Sequence, residues 1–526
     1  MLHKNRLFSR SISKRHYLIK WAFSTTVSLL LSTLLSAAEP IHIGSRLELM
    51  IDDHLIDSMS PSLRLQLHKP VRHNVALVTD EPWEGNACTY NSIFQDGDRY
   101  RMYFGSQQYV NSEKKLLYPH KPYTCYAESK DGIHWTKPVL ELVEFNGSKK
   151  NNIVLAAESI HGISVDPAHI SVFKDTNPDC PPESRYKAVI RAANVQGLYA
   201  LQSPDGFHFE PLSHQLIITD GAFDSQNVAF WDSLRGEYRI YFRDFHGRVG
   251  GRFVGIRGIK TATSRDFRTW SSPEWLIFPE APEEHLYTNQ VAPYARAPHI
   301  FFGFPMRYTD RGWVDSTGKL PHPKLRRQRA GINPRYGSAV TDGLMMTSRD
   351  GLIFKRWGEA LLRPGPSRTN SWVYGDNIIS WGILNTPSDL SKAPDELSIY
   401  AIEGYWTENS QNFRRYSIRM DGFVSIRAPL KGGEFVTQPL LFDGDKLLLN
   451  YETSAAGGIW VEIQNTNGHP LQGYTLEDCH EIFGDEIQRE VIWKSVGSLG
   501  KWASTPIRLR FVLKDADLFS FQFCQK

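Results

Sequence analysis

From about Ala87 to Arg419 the chain repeats one pattern of apolar and polar positions. A strand-like run ends in a polar turn, an aromatic-rich run follows, a third run closes in Ser-x-Asp-Gly or a relative, and a short fourth run comes after. In the first unit these are ACTYNSIFQDGD, RYRMYFGS, YTCYAESKDG and IHWTKPVLEL. The second runs through HISVFKDT, YKAVIRA, GLYALQSPDG and FHFEPLS, and the third through NVAFWDS, EYRIYFRDF, GIKTATSRDF and RTWSSPEWL. The fourth holds NQVAPYA, HIFFGFPMRY, SAVTDGLMMTSRDG and LIFKRWGEALL. The fifth holds WVYGDNIISWGIL, ELSIYAIEGYW and FRRYSIRM, and its fourth strand is left to the segment before Trp83. Alternation as in Tyr-Arg-Met-Tyr-Phe and β-branched runs such as Ile-Ser-Val favour strands. Asp-Gly at 96–97, 131–132, 205–206 and 350–351 supplies tight turns.

Inexact repeats of about 55–75 residues are the sequence mark of a propeller rather than of a single sandwich. The expected fold class is all-β: a five-bladed β-propeller over 60–425 followed by a C-terminal β-sandwich over 426–526. In the tail, KLLLNYE, GIWVEIQ, REVIWK, IRLRFVL and LFSFQF read as antiparallel strands, with Lys514–Asp517 as a turn. Residues 39–59 form an N-terminal extension whose Asp52-Asp53 pair reads as structural.

Residues 1–38 read as a cleaved signal peptide. Lys4, Arg6, Arg10, Lys14, Arg15 and Lys20 precede an apolar stretch from Trp21 to Ala37, with Ser36 and Ala38 as small residues before polar sequence at Glu39. The stretch is short for a membrane span. A secreted or periplasmic location follows, with no stable transmembrane segment after cleavage. The full chain carries 60 basic and 57 acidic residues; without the leader's basic residues the balance is slightly acidic. No long basic tract remains, so nucleic acid is not expected as a partner. The short cluster Lys324, Arg326, Arg327 and Arg329 reads as a solvated loop. Five cysteines lack metal-ligand spacing, and Cys88 with Cys125, and Cys479 with Cys524, are placed where neighbouring strands could pair them. Zinc spacing, a phosphate loop, a nucleotide fingerprint and Gly-x-Ser-x-Gly are all absent.

Candidate chemistry sits at the entrances to the first three inner strands. Glu84 lies in PWEGN, Asp166 in SVDPAH and Asp224 in AFDSQN, so three carboxylates share one topological position. Glycosidic cleavage uses one protonated carboxyl and a second group as base or nucleophile. Trp83, His169, Asn227, Arg243, Tyr287, Asn289, Arg307 and Glu403 are candidate substrate contacts, Glu403 doubling as a replacement acid. The structural alternatives are turn carboxylates for the acids and ion-pair partners for Arg243 and Arg307.

DEPWEGN, RYRMYFGS, YAESKDGIHWTKP, FDSQNVAFWD and VLKDADLFSFQF, with the two-part architecture, resemble glycoside hydrolase family 32 N-terminal-like proteins within the five-bladed propeller glycosidases. The invertase-type Trp-x-Asn-Asp-Pro-Asn-Gly sequence is absent, and the acids come in the order Glu, Asp, Asp rather than Asp, Asp, Glu. The resemblance implies a glycoside hydrolase acting on an extracellular or periplasmic oligo- or polysaccharide, with Asp224 as proton donor, Glu84 as nucleophile or base and Asp166 orienting the sugar. The alternatives are a non-catalytic carbohydrate-binding scaffold and a polysaccharide lyase or glycoside phosphorylase. No cofactor is required by this chemistry, structural calcium is not predicted, and the oligomeric state is open.

Overall fold

The computed structural model describes residues 39–112, 115–157, 159–408, 410–494 and 497–525. The signal-peptide expectation lies outside the described residues. The chain is all-β and mostly antiparallel, with a propeller-like arrangement of four-stranded sheets. The first sheet holds Thr89–Asp96, Arg99–Ser106, Tyr123–Ser129 and Trp135–Thr136, with Ile153–Ala156 added to the third strand. The second holds Ile163–Lys174, Tyr186–Ala192, Leu198–Ser203 and Glu210–Pro211; the third holds Val228–Asp232, Glu237–Val249, Arg252–Ser264 and Glu274–Trp275. The fourth holds Ala292–Tyr294, Ala297–Gly303, Met346–Ser348 and Lys355–Arg356. Leu384–Thr386, Glu396–Glu403 and Asn412–Arg419 make the fifth, and its last strand is Val71–Val78, which pairs along Asn412–Ser417. The segment before Trp83 therefore completes the last sheet.

The Ser-x-Asp-Gly ends explain how neighbouring sheets are fixed. At Ser129-Lys130-Asp131-Gly132 the serine hydroxyl accepts the Gly132 N–H at 2.9 Å, and one Asp131 oxygen accepts the N–H groups of Ile133 and His134, each at 2.8 Å. The same bonds recur at Ser203–Gly206, Ser264–Phe267 and Ser348–Gly351. Against the cost of burial, these N–H donors and neighbouring groups hold the four aspartates below the usual carboxylate range. Each turn docks on the second strand of the preceding sheet. The Tyr400 hydroxyl donates to Gly132 O, Arg101 donates to Asp205 O at 2.9 Å, Lys187 lies 5.9 Å from the Phe267 ring and the Tyr241 hydroxyl donates to Gly351 O at 2.8 Å. The first of these contacts joins the first sheet to the fifth.

The inner strands meet in the middle. Ile93 N–H bonds Trp381 O and Trp381 N–H bonds Asn91 O, each at 2.8 Å. The Ser92 hydroxyl accepts from Val172 N–H at 3.1 Å, Gln226 donates to Asn91 O at 3.0 Å, and Gln290 donates to Gln226 at 2.8 Å. The Trp381 indole N–H reaches Val291 O at 2.8 Å.

Several expectations change. The run HIFFGFPMRY is not one strand: Pro305 separates Ala297–Gly303 from Met306–Asp310, which instead joins His285–Leu286 and Ala339–Gly343 in a small sheet of its own. Between these last strands the chain forms three short helices, Asp315–Lys319, Pro323–Ile332 and Arg335–Ser338. The basic cluster is consequently not a solvated loop. Arg326 and Arg329 are buried, because backbone carbonyls accept hydrogen bonds from their guanidinium N–H groups: Pro321 and Gly337, each at 3.0 Å, with Trp372, for Arg326, and Tyr405 at 3.1 Å with Trp406 for Arg329.

Strands Val424–Ala428, Gly433–Thr437, Lys446–Gln464, Asp485–Glu490 and Arg508–Cys524 form one paired system with Glu48–Leu49, Ile56–Met59 and Arg64–Leu67 from the N-terminal side. Arg64–Leu67, placed by the sequence reading in the propeller segment, thus pairs with Val424–Arg427. Lys514–Asp517 is not a turn between two strands but an irregular stretch inside Arg508–Cys524, opposite a bulge between Thr453 and Gly458, with Asp515 at φ +41°. Asp52 takes both sides of the Arg349 guanidinium, at 2.8 and 3.1 Å, which ties this segment to the fourth sheet. All five cysteines are free thiols.

Candidate functional site

The entrances to the inner strands bring one side chain from each sheet into a single constellation. Tyr90 stands before the first inner strand's regular part, in the left-handed region at φ +60°, an uncommon conformation for a bulky residue. Its ring lies 4.9 Å from that of His169 in the second sheet, and its hydroxyl is 3.5 Å from the main-chain oxygen of Asp224 before the third. Tyr90, at the irregular start of the first inner strand, and Tyr374, before the fifth, hydrogen-bond Tyr287, which precedes the fourth. Tyr109, Tyr405, Tyr336 and Trp406 extend the aromatic wall, with ring centroids 5.4–6.2 Å apart.

Asp224 is the accessible acid of this group. Its side chain is 59% exposed, while Arg243, which pairs with it, is 2% exposed. The Arg243 guanidinium lies 4.7 Å from the Tyr287 ring centre. Burial pushes the Tyr287 hydroxyl up, but Arg243, bonds from Tyr90 and Tyr374, and Arg257 together bring it down to about 8. Asp166 is nearly enclosed: Arg191 donates to it at 2.7 Å, and His169 Nδ1 lies 2.9 Å away. Against the penalty of burial, these two partners hold its carboxyl far below the usual range.

Glu84 does not share these contacts. Its carboxylate has no exposed surface; Lys137 donates at 2.6 Å and Asn152 at 3.1 Å, and burial keeps its value above the ordinary one. Trp83 joins that clamp, its indole N–H donating to Asn152 at 2.6 Å and its ring packing on Phe145. The expected convergence of Glu84 with Asp166 and Asp224 is therefore replaced by a closed structural clamp. Arg307 is an ion-pair partner, forked on Asp342 at 2.9 and 2.7 Å and bonded to Glu284 at 3.0 Å. Glu403 is held by Arg72, Arg368 and Arg414 at 2.8–3.0 Å. Asn289 donates to Gln226 O and Tyr241 O, and Asn227 to Phe223 O and Ser225 O, so both amides fix the backbone where sheets meet.

Three groups were not singled out from the sequence. Tyr90 and Tyr374 share with Tyr287 a placement shortly before an Asn at a strand entrance, which is the signal that could have found them. Asp376, in YGDN, repeats the acid-before-Asn pattern of EGN and DSQN. It is buried beside the Tyr405 N–H, which it accepts at 3.0 Å, and burial raises its carboxyl from 3.8 to about 8. Among the described residues, no group of three or more His, Cys, Asp or Glu is placed to hold a metal ion, and no helix is long and apolar enough to cross a membrane.

No family model and no curated protein matches the chain, so the family 32 resemblance stays without a match. Among solved structures, the chain is similar to a glycoside hydrolase family 43 arabinoxylan arabinofuranohydrolase from Bacillus subtilis, at 12% identity and TM-score 0.37 over 87% of this chain and 99% of that one. It is also similar to an endo-arabinase from Bacteroides thetaiotaomicron, at 12% and 0.39 over 66% and 98%. An N-acetylgalactosamine deacetylase from F. plautii is similar at 13% and 0.40 over 69% and 95%. At this degree of similarity neither substrate nor mechanism transfers.

Proposed function

We propose that this chain is an exported glycoside hydrolase, built as a five-bladed propeller with a C-terminal sandwich, that cleaves an extracellular or periplasmic oligo- or polysaccharide. The observation that carries the reading is Asp224: an exposed carboxylate beside a buried guanidinium, on a wall of aromatic rings and phenolic hydroxyls contributed by the other four repeats. Aromatic faces suit the apolar faces of sugars, and hydroxyls suit their rims. Asp224 is the proton-transfer group that meets the glycosidic oxygen or the attacking water. The Asp166–His169 pair, joined through Tyr90 to the same wall, is the second proton-handling group, with Asp166 fixing the imidazole. Glu84 is assigned to holding the entrance rather than to substrate.

The test is product analysis of the leaderless protein on plant, fungal and algal glycans, alongside Asp224→Asn. The amide variant should keep its fold and its sugar binding while turnover falls at least about a hundredfold. Unchanged turnover sinks the assignment. The enclosure of Glu84 also leaves room for a second reading, a carbohydrate-binding scaffold, which predicts saturable glycan binding with no product from either protein.

A further inference from the structure

The wall beside Asp224 carries more positive charge than its own carboxylates balance. Arg257 faces Phe245 across the third sheet, two positions along from Arg243, so both guanidiniums stand on one face of that sheet. Arg257 is 6% exposed and lies 4.8 Å from the Phe245 ring, 5.6 Å from Tyr287 and 4.9 Å from Tyr308. Three aromatic rings thus surround its guanidinium carbon without supplying a counter-charge. Its Nε has no hydrogen-bond partner, and one terminal nitrogen meets only His285 Nδ1 at 3.3 Å. That imidazole nitrogen already accepts the Arg257 main-chain N–H at 3.1 Å, and burial, Arg257 and Arg335 all push its titration down. Arg335 reaches the same place from its short helix: it packs on Tyr336, which packs on Tyr374, which packs on Tyr308. The Arg335 Nε is likewise unpartnered. Among the described residues, neither Arg257 nor Arg335 has a carboxylate within salt-bridge distance, whereas Arg243 has Asp224 and Arg307 has both Asp342 and Glu284.

A buried guanidinium without a counter-charge is retained at a cost, and its planar donor edge matches an oxyanion. We propose that Arg257 and Arg335 form a subsite for an anionic substituent on the sugar, a uronate carboxylate or a sulfate ester, bound beside Asp224. The proposal rests on the carbohydrate reading of the site and names its substrate class. The aromatic rings at Tyr287 and Tyr308 would flank the sugar to which the anion is attached. Asp224, neutralised by Arg243, does not repel it.

The experiment is calorimetric titration of the leaderless protein with D-glucuronate, D-galacturonate, galactose 6-sulfate and the corresponding neutral hexoses. At least one anionic sugar should bind at least about tenfold more tightly than its neutral counterpart. Arg257→Gln should remove that preference, and Arg335→Gln provides the same reading should the first variant fail to fold. Arg252→Gln, an exposed arginine of the same sheet's outer hairpin, should leave it unchanged. The carboxylate and sulfate arms distinguish the two anions. No preference in the wild type, or a preference untouched by both arginine variants, overturns the subsite. Turnover on neutral glycans with no anion preference would sink the subsite and leave the hydrolase reading standing. Anion preference with no product from any glycan would do the reverse.

Discussion

The Tyr287 ring lies 4.7 and 5.6 Å from the Arg243 and Arg257 guanidiniums, whose charge, with the neighbouring Tyr90 and Tyr374 hydroxyls, brings its hydroxyl from 10.0 down to about 8 against the cost of burial. A phenol whose folded value lies below the ordinary one adds stability that is full above about 10 and lost as pH falls through about 8. Ultraviolet absorbance should therefore show one tyrosinate forming near pH 8, and Tyr287→Phe should abolish it; an unchanged titration in the variant removes the assignment. Asp376 runs the opposite way. Its folded value is raised from 3.8 to about 8, so its contribution to stability is full below 3.8 and lost as pH rises through about 8. Asp376→Asn keeps the shape and cannot ionise. Its melting temperature should gain on the wild type between about pH 4 and pH 8 and no further above that, as read by thermal denaturation at several pH values. A gap that is constant with pH would show that Asp376 does not titrate in this range.

At the scale of the element, the Ser-x-Asp-Gly turns do two jobs at once. They end a strand with bonds to their own backbone, and they seat the next sheet on a Tyr, Arg or Lys of the one before. Gly351 shows why the glycine is required: φ is +82°, and an added Cβ would meet Arg239 and the Tyr241 hydroxyl. Gly351→Ala should lower stability by about 1–3 kcal/mol in denaturant titrations. Gly97, at φ +66° in open space, provides the comparison, and its alanine variant should lose only about 1 kcal/mol of conformational strain. Equal losses at the two positions would mean that the docking contact contributes nothing. The third copy of the turn has Phe267 at φ +61°, where the others have glycine; its ring packs against Phe173 and Tyr238, contacts that hold it there.

For the molecule as a whole, Trp381 is where the circuit of sheets is joined. Its backbone pairs with Asn91 and Ile93 of the first sheet, its indole donates to Val291 of the fourth, and its ring meets Phe173 of the second. Trp381→Ala should cost about 3–5 kcal/mol and shift a single cooperative transition rather than create two. A separate early transition of one sheet would show that the ring is not one cooperative unit. The chain also closes on itself at a second level. Val71–Val78 completes the fifth sheet, while Glu48–Leu49, Ile56–Met59 and Arg64–Leu67 pair with strands beyond residue 420.

The repeat of turns and aromatic strands determined the all-β character and the chain order of the sheets, because strand periodicity and the Asp and Gly chemistry of turns are local properties of sequence. It also placed Asp224, Tyr287 and His169 near strand entrances, positions that depend only on where each repeat begins. Local pattern could not say which way an entrance side chain turns. Glu84 and Asp224 occupy equivalent places in their repeats, yet Lys137 and Asn152 draw one into a sealed clamp while Arg243 leaves the other exposed. Those partners come from distant parts of the chain or from across the sheet, as do the carbonyls that bury Arg326 and Arg329 and the rings that cover Arg257. Burial and charge pairing are made by tertiary neighbours, so the identity of the accessible acid and the unbalanced arginines beside it were decided only when the chain folded.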